Sequence, residues 1–247
     1  MNGPSDVDGT AFAARANPVA KLAVGLAVAV AMVLSLDPVT AGTALVLEVA
    51  ALPWCGLGPR ALLRRGWVMA LAAVAAGAGT AVFGLGGPAA GFAVATRILA
   101  ICLPGVVLLA TTDPTDLADA LAQVARLPHR FVLSALAATR LVEVLADEWA
   151  LLGLARRARG LGGGGPAGLL RDHVGRVPAL LVLAVRRATV LATAMEARGF
   201  GVSRRRTWAR PSRLHPSDAV VIGYGVLVAA VATAAGLAAG TWHLVLT

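Results

Sequence analysis

Five long apolar runs constrain this chain more than any other feature. They begin at Val19, Val39, Trp67, Ala89 and Ala219, and end at Asp37, Leu57, Leu85, Ala110 and Ala239. Runs of this length with at most one or two ionisable groups match helices that cross a hydrocarbon core about 30 Å thick, at a rise of about 1.5 Å per residue. Only 14% of the 247 residues are charged, whereas soluble domains carry about 25%. The chain therefore reads as an all-α integral membrane protein.

The runs are not equivalent. The first is barely as long as the core is thick, and Lys21 at its inner edge can snorkel. It suits a signal-anchor, because further apolar runs follow. Residues 1–17 are polar and mixed in sign, read as disordered, and lack the basic start of a secretory signal. The second run is interrupted by Glu48 and is the weakest span; with the first it can form a shallow hairpin. An intramembrane carboxylate must face protein or water. Glu48 suits contact with a partner helix or a transported solute, and equally a protonated carboxyl bonded inside the bundle. Trp67 opens the third run at an interface. Arg97 interrupts the fourth and is read as snorkelling outward or bonding a neighbour. Gly84 to Pro88 is a turn, not a phosphate loop: no G-K-[ST] ending follows. In the last run Gly223, Gly225, Gly236 and Gly240 allow close helix approach. Trp242 and His243 then fall at the outer interface, with His243 a solvated terminal residue rather than a ligand.

Charge supplies the topology. Residues 112–217 hold 16 of the 22 basic and 8 of the 13 acidic residues, and no Lys or Arg follows Arg213. Lys21, Arg60, Arg64, Arg65 and this block all fall on one side if the N-terminus is cytoplasmic and four spans alternate up to residue 111. The basic cluster Arg204-Arg205-Arg206, with Arg210 and Arg213, is explained by a juxtamembrane position facing anionic lipid, so no nucleic-acid partner is implied. Cys55 and Cys102 lie in or beside apolar runs, with no Cys/His cluster to suggest a disulfide framework or a zinc site.

Within the polar block, Thr111-Thr112-Asp113-Pro114-Thr115-Asp116 is a helix start. Thr112 or Asp113 caps it, Pro114 takes the first helical position, and Asp116 and Asp119 face the positive end of the dipole. Three aspartates at 113, 116 and 119 raise a divalent-metal reading, but no second acidic cluster accompanies them. Leu127-Pro128 ends this helix. The next, about His129 to Arg159, is amphipathic, with Arg140, Glu143 and Asp147 on one face. It is too charged for a span and too apolar for a free helix, so it lies at the membrane interface or on a similar helix. After the flexible connector at 161–168, a second such helix runs from about Leu169 to Arg198, and Pro178 is expected to bend or interrupt it.

Both helices close on the same triplet: Ala158-Arg159-Gly160 and Ala197-Arg198-Gly199. Glycine past a helix end supplies a left-handed cap, and arginine in the last turn complements the dipole. An exposed arginine at a helix tip also offers a fork of donors to a partner.

These segments carry a resemblance. The start Asn17-Pro18-Val19-Ala20-Lys21-Leu22, the emergence Thr111 to Leu117, Ala155 to Gly160, and above all Ala194-Met195-Glu196-Ala197-Arg198-Gly199-Phe200 resemble the transmembrane T component of energy-coupling-factor (ECF) transporters, the EcfT/CbiQ family. The resemblance covers about residues 17–240. It implies an ABC-type importer of a vitamin, a precursor or a metal ion, with two cytoplasmic ATPases, this scaffold, and a small substrate-binding membrane subunit. In that family two coupling helices cross and their tips enter grooves on the ATPases, which makes Arg159 and Arg198 docking residues. The glycine-rich insert at 162–165 is longer than the family pattern.

The expected organisation is a disordered 1–17, a bundle of about four spans over 18–111, a coupling-helix region over 112–217, and a C-terminal transmembrane helix over 218–247. That makes about five spans plus a cytoplasmic block of two long amphipathic coupling helices, in the cell membrane. The chain carries no P-loop, so no catalytic residue, cofactor or metal is assigned to it. Two other readings are a stand-alone permease, for which only Glu48 and marginally Arg97 qualify, and a membrane-embedded lipid-headgroup enzyme using Asp113, Asp116 and Asp119.

Overall fold

The computed structural model describes residues 11–13, 15–35, 37–84, 86–161, 165–200, 208 and 210–240. The first ten residues, the connector at 162–164, Arg204 to Arg206, and Trp242 and His243 lie outside them.

Every element among the described residues is helical. The order is α1 (Pro18–Leu34), α2 (Pro38–Ala51) running into a 3-10 turn (Leu52–Cys55), α3 (Pro59–Phe83), α4 (Gly87–Thr111), α5 (Pro114–Gln123), α6 (His129–Ala158), α7 (Pro166–Ala197) and α8 (Pro216–Ala238). All of these α-helices except α6 carry proline at the first or second position. There its fixed φ suits the helix and its missing N–H costs nothing. Asn17, Asp37 and Asp113 cap α1, α2 and α5, each accepting from the backbone N–H two residues on. Of the two caps read for α5, Asp113 is the one used.

The chain forms two units, Met1–Ala125 with Pro211–Thr247, and Arg126–Arg210. In the first, α4 packs on α3, α2 and α1, and α8 packs on α1 and α2. Its core is small: Val28, Ala31, Met32, Ala41, Ala44, Ala100, Val228 and Ala232. Small residues let backbones approach closely, and in lipid that contact replaces the missing hydrophobic drive between helices. Gly77 and Gly91 mark the closest approach of α3 and α4. A Cβ at Gly77 would lie 2.7 Å from the Gly91 carbonyl oxygen. On α8 the close approach falls at Gly225, where a Cβ would lie 2.8 Å from Val24 Cα, whereas Gly223 faces open space.

Several expectations change. α1 and α2 do not form a hairpin; each packs mainly on α4 and α8, which take up Ala41 and Ala44 of α2. α3 starts eight residues before Trp67 and carries Arg60, Arg64 and Arg65 within it. Of the two readings of Arg97, bonding a neighbour is the one the structure follows: it donates to the Met32 carbonyl near the end of α1.

Five helical segments are long and apolar enough to cross a membrane: Pro38–Cys55, Arg60–Phe83, Gly87–Thr111, Gly168–Ala197 and Pro216–Ala238. This set differs from the expected one at two places. α1, at 17 residues, is shorter than these spans. α7 joins the set because the stretch between Arg176 and Glu196 carries only Arg186 and Arg187 as charges.

The second unit is α6 and α7. α7 continues through Pro178. The carbonyl left without a helical donor there is that of Val174, a residue 61% exposed, so surroundings outside the helix can satisfy it.

Candidate functional site

The two triplets close α6 and α7 with the same geometry. Arg159 has φ −86° and ψ 7°, and Arg198 has φ −87° and ψ 8°. Gly160 and Gly199 follow at φ +73° and +76°. The Leu161 N–H donates to the Arg156 carbonyl at 3.0 Å, and the Phe200 N–H to the Met195 carbonyl at 2.9 Å. The glycine N–H groups donate to Arg157 and Glu196, both at 2.9 Å. This is a Schellman cap made twice, each with an apolar residue beyond the glycine. Glycine is needed there because a side chain at positive φ meets its own backbone. Ala158, Arg159, Gly160, Ala197, Arg198 and Gly199 are all exposed. Neither Arg159 nor Arg198 has a side-chain hydrogen bond or ion pair among the described residues.

The helices are joined by a cluster that sequence reading did not single out. Asp172, 4% exposed, accepts from Arg156 Nε of α6 at 2.7 Å through Oδ1, and from Arg176 of its own helix through Oδ2. Each guanidinium lies on a glycine of the opposite helix. A Cβ at Gly153 would lie 2.7 Å from Arg176 Nη1, and one at Gly175 2.6 Å from Arg156 Nη2. Arg176 also lies over Trp149, its Cζ 5.5 Å from the ring centroid, and His173 stands against the same ring at 5.8 Å. Arg187 pairs with Glu148 farther along. The signal was present in part, since Asp172 and Arg176 have helical i, i+4 spacing. The glycines that make room for the guanidiniums give no such signal.

From this crossing the two ends lie at different distances. Arg159 is six residues beyond Gly153, and Arg198 is twenty-two beyond Arg176. At about 1.5 Å per residue these arms are roughly 9 and 33 Å long. The triplets are thus separate tips, not one site.

In the first unit the early motif meets the emergence motif. Lys21 Nζ donates to Thr111 Oγ1 at 3.0 Å, to the Thr111 carbonyl at 3.2 Å and to Thr112 Oγ1 at 3.3 Å. Lys21 is buried rather than snorkelling, because the carboxyl end of α4 supplies acceptors beside it. The Asn17 N–H donates to Asp218 Oδ1 at 2.8 Å, and Asn17 Nδ2 reaches Ser212 Oγ at 3.0 Å. Asp218 Oδ2 accepts from the His215 N–H at 2.7 Å. The starts of α1 and α8 are therefore tied at one carboxylate.

Asp113 caps α5 and Asp116 lies in its first turn, but Asp119 falls midway along the helix, beyond the reach expected for the positive end of the dipole. No three His, Cys, Asp or Glu side chains gather as metal ligands among the described residues.

Known proteins bear on these features. The CbiQ family profile, described as cobalt transport protein, matches residues 9–208. A curated relative, the energy-coupling factor transporter transmembrane protein EcfT of Bacillus selenitireducens, is 32% identical over 155 residues, 59% of this chain and 58% of that protein. The EcfT of Staphylococcus aureus is 27% identical over 139 residues, 53% of this chain and 52% of that protein. The matches thus span somewhat more than half the length of these relatives.

Proposed function

The chain belongs to the CbiQ family of cobalt transport proteins, and from that membership we propose that it is the transmembrane scaffold of an ECF-type importer. It couples ATP hydrolysis by two cytoplasmic ABC ATPases to uptake of a vitamin, a precursor or a metal ion held by a separate small membrane subunit. It is a non-catalytic subunit. Arg159 and Arg198 dock on the ATPases, with Ala158, Gly160, Ala197 and Gly199 shaping the two tips. The N-terminus is cytoplasmic, on the side where positive charge gathers. α7 is then an interfacial or partner-covered helix rather than a span, consistent with buried Asp172 and Arg176 near its start and with Arg186 and Arg187 in its middle.

One observation carries this reading. Two long helices end in the same Arg-bearing cap, and both arginines are exposed with no side-chain partner among the described residues. A planar fork of donors held at a rigid tip suits acidic or carbonyl groups on another protein. When ATP binding and hydrolysis move the ATPases, the tips follow, and the scaffold reorients the substrate-binding subunit.

The test is a tagged purification from native membranes in mild detergent, with wild type and the R159E/R198E double variant side by side. Wild type is expected to bring down two ABC ATPases and a small hydrophobic protein. The double variant is expected to insert normally and lose the ATPases. Recovery of wild-type ATPase stoichiometry with the double variant would overturn the docking assignment. Recovery of the wild-type chain alone would favour a stand-alone permease.

A further inference from the structure

The first unit contains a cavity of about 450 Å³ between the start of α1, the end of α2, the end of α4 and the start of α8. Val24, Leu103, Pro104, Val107 and Val220 are among the side chains that line it, and its accessible wall is almost wholly apolar. The polar groups beside it are turned elsewhere. Lys21 gives its ammonium to Thr111 and Thr112, and Tyr224 gives its hydroxyl to the Leu47 carbonyl at 2.7 Å. Glu48 has both carboxylate oxygens buried, so the cavity meets its stem and not its charge. A polar solute has little to bond here. An apolar cavity of about 150 Å³ stays dry and takes benzene; this one has about three times that volume, room for a run of methylenes.

Phe12 and Trp54 line the cavity and are 52% and 65% exposed, so they stand at its mouth. The Ala13 N–H donates to the Trp54 carbonyl at 3.2 Å, which holds the turn before α1 against the 3-10 turn after α2. An exposed tryptophan suits the boundary between hydrocarbon and headgroups. Positive charge gathers at the same level. Arg15, exposed, is two residues beyond Ala13, no more than about 7 Å along the chain. Arg65 of α3 donates to the Ala110 carbonyl at 2.9 Å, and Ala110 is three residues past Val107 in the cavity wall. That contact sets the first turns of α3, with exposed Arg60 and Arg64, beside the same end of α4. An apolar cavity beside a cluster of arginines at the membrane surface is complementary to a lipid with a negative headgroup.

We infer that the cavity seats one acyl chain of an anionic phospholipid, whose headgroup phosphate lies against Arg15, Arg60 and Arg64. A chain that leaves the bilayer for the cavity exchanges one apolar setting for another, so burial alone gives it no preference. The cavity supplies the packing, and the arginines supply the selection among lipids. The inference is independent of the helix-tip reading, since no residue of α6 or α7 lines the cavity.

The test uses the delipidated full chain in detergent and native mass spectrometry. The probes are phosphatidylglycerol and phosphatidylcholine with the same palmitoyl and oleoyl chains. One phosphatidylglycerol per protein is expected, bound at least tenfold more tightly than phosphatidylcholine. V107F, which fills the cavity, is expected to weaken phosphatidylglycerol at least tenfold. R15Q/R60Q/R64Q is expected to bring it down to the level of phosphatidylcholine. Equal affinity of wild type for the two lipids would overturn the inference. A second measurement needs only wild type, so it stands even if V107F fails to fold. Phosphatidylglycerol with a diazirine in mid-chain is added at one per protein and photolysed, and the labelled residues are mapped. Label on Val24, Leu103 and Val107 is expected. Label confined to exposed positions of α3 such as Leu71 and Val74 would show a chain lying outside the cavity and overturn the inference.

Discussion

Lys21 and Thr111 hold the start of α1 to the end of α4, with the ammonium 3.0 Å from the threonine hydroxyl and 3.2 Å from its carbonyl. The last carbonyls of a helix have no partner within it. Lys21 supplies donors to one of them and lies where the dipole favours a cation. Replacing it by methionine keeps the aliphatic stem and removes the donors. K21M is expected to lower stability by about 1.5–3 kcal/mol, the scale for hydrogen bonds to a charged group. Denaturant unfolding of the detergent-solubilised protein measures this. A midpoint equal to wild type would mean the contact contributes nothing to stability.

Gly77 and Gly91 set the spacing of α3 and α4. The atom in the way of a Cβ at Gly77 is a backbone oxygen, and Ala95 Cβ stands 2.9 Å from the same point. Neither can rotate aside, so the helices must separate. G77L is expected to cost about 1–3 kcal/mol, as overpacking does. A cysteine pair engineered across the α3–α4 contact should then crosslink more slowly. G79L is the control, because Gly79 meets nothing within 4 Å. Equal losses from both variants would mean that helix propensity, not contact, explains the effect.

Asp172 is the shared acceptor at the crossing of α6 and α7, serving Arg156 and Arg176 together. D172A leaves two guanidiniums without their carboxylate, one of them only 8% exposed at its side chain. Removing one partner of a buried ion pair costs about 3–5 kcal/mol. The crossing is expected to loosen before the helices melt. Spin labels at positions 157 and 196, with Cys55 and Cys102 replaced by serine, would report it as a broadened distance distribution and unchanged helical circular dichroism. An unaltered distribution would show that the Arg187–Glu148 pair and the Trp149 contacts are enough to hold the geometry.

Much of this architecture is legible in local chemistry. Proline and a capping Asn or Asp mark the starts of α1, α2 and α5, and glycine after arginine marks the ends of α6 and α7. These signals lie within four residues of the feature they create. The rest depends on what arrives from elsewhere. Lys21 reads as a snorkelling residue until the end of α4 comes beside it. Arg65 reads as part of a connector, yet it sits in α3 and donates to the Ala110 carbonyl at 2.9 Å. Asp172 reads as one polar position among several, because Gly153 and Gly175 contribute only empty space, which no residue type announces. The tips were therefore nameable by position, while the joint that positions them was not.

The caps at Gly160 and Gly199 separate the shape of each tip from its charge. Both glycines have φ near +75°, a region that costs an L residue about 1–2 kcal/mol, while asparagine enters it readily. Valine, branched at Cβ, is the harder substitution there. If the cap orients the neighbouring arginine, G160V/G199V lowers the ATPase recovered with the protein even though Arg159 and Arg198 remain. G160N/G199N retains most of it. R159K/R198K keeps the charge and loses the planar fork, so it should fall between wild type and R159E/R198E. The readout is ATPase per scaffold in the same purification, with membrane insertion checked separately. Full recovery with the valine variant would mean that charge alone, and not the geometry of the cap, makes the contact.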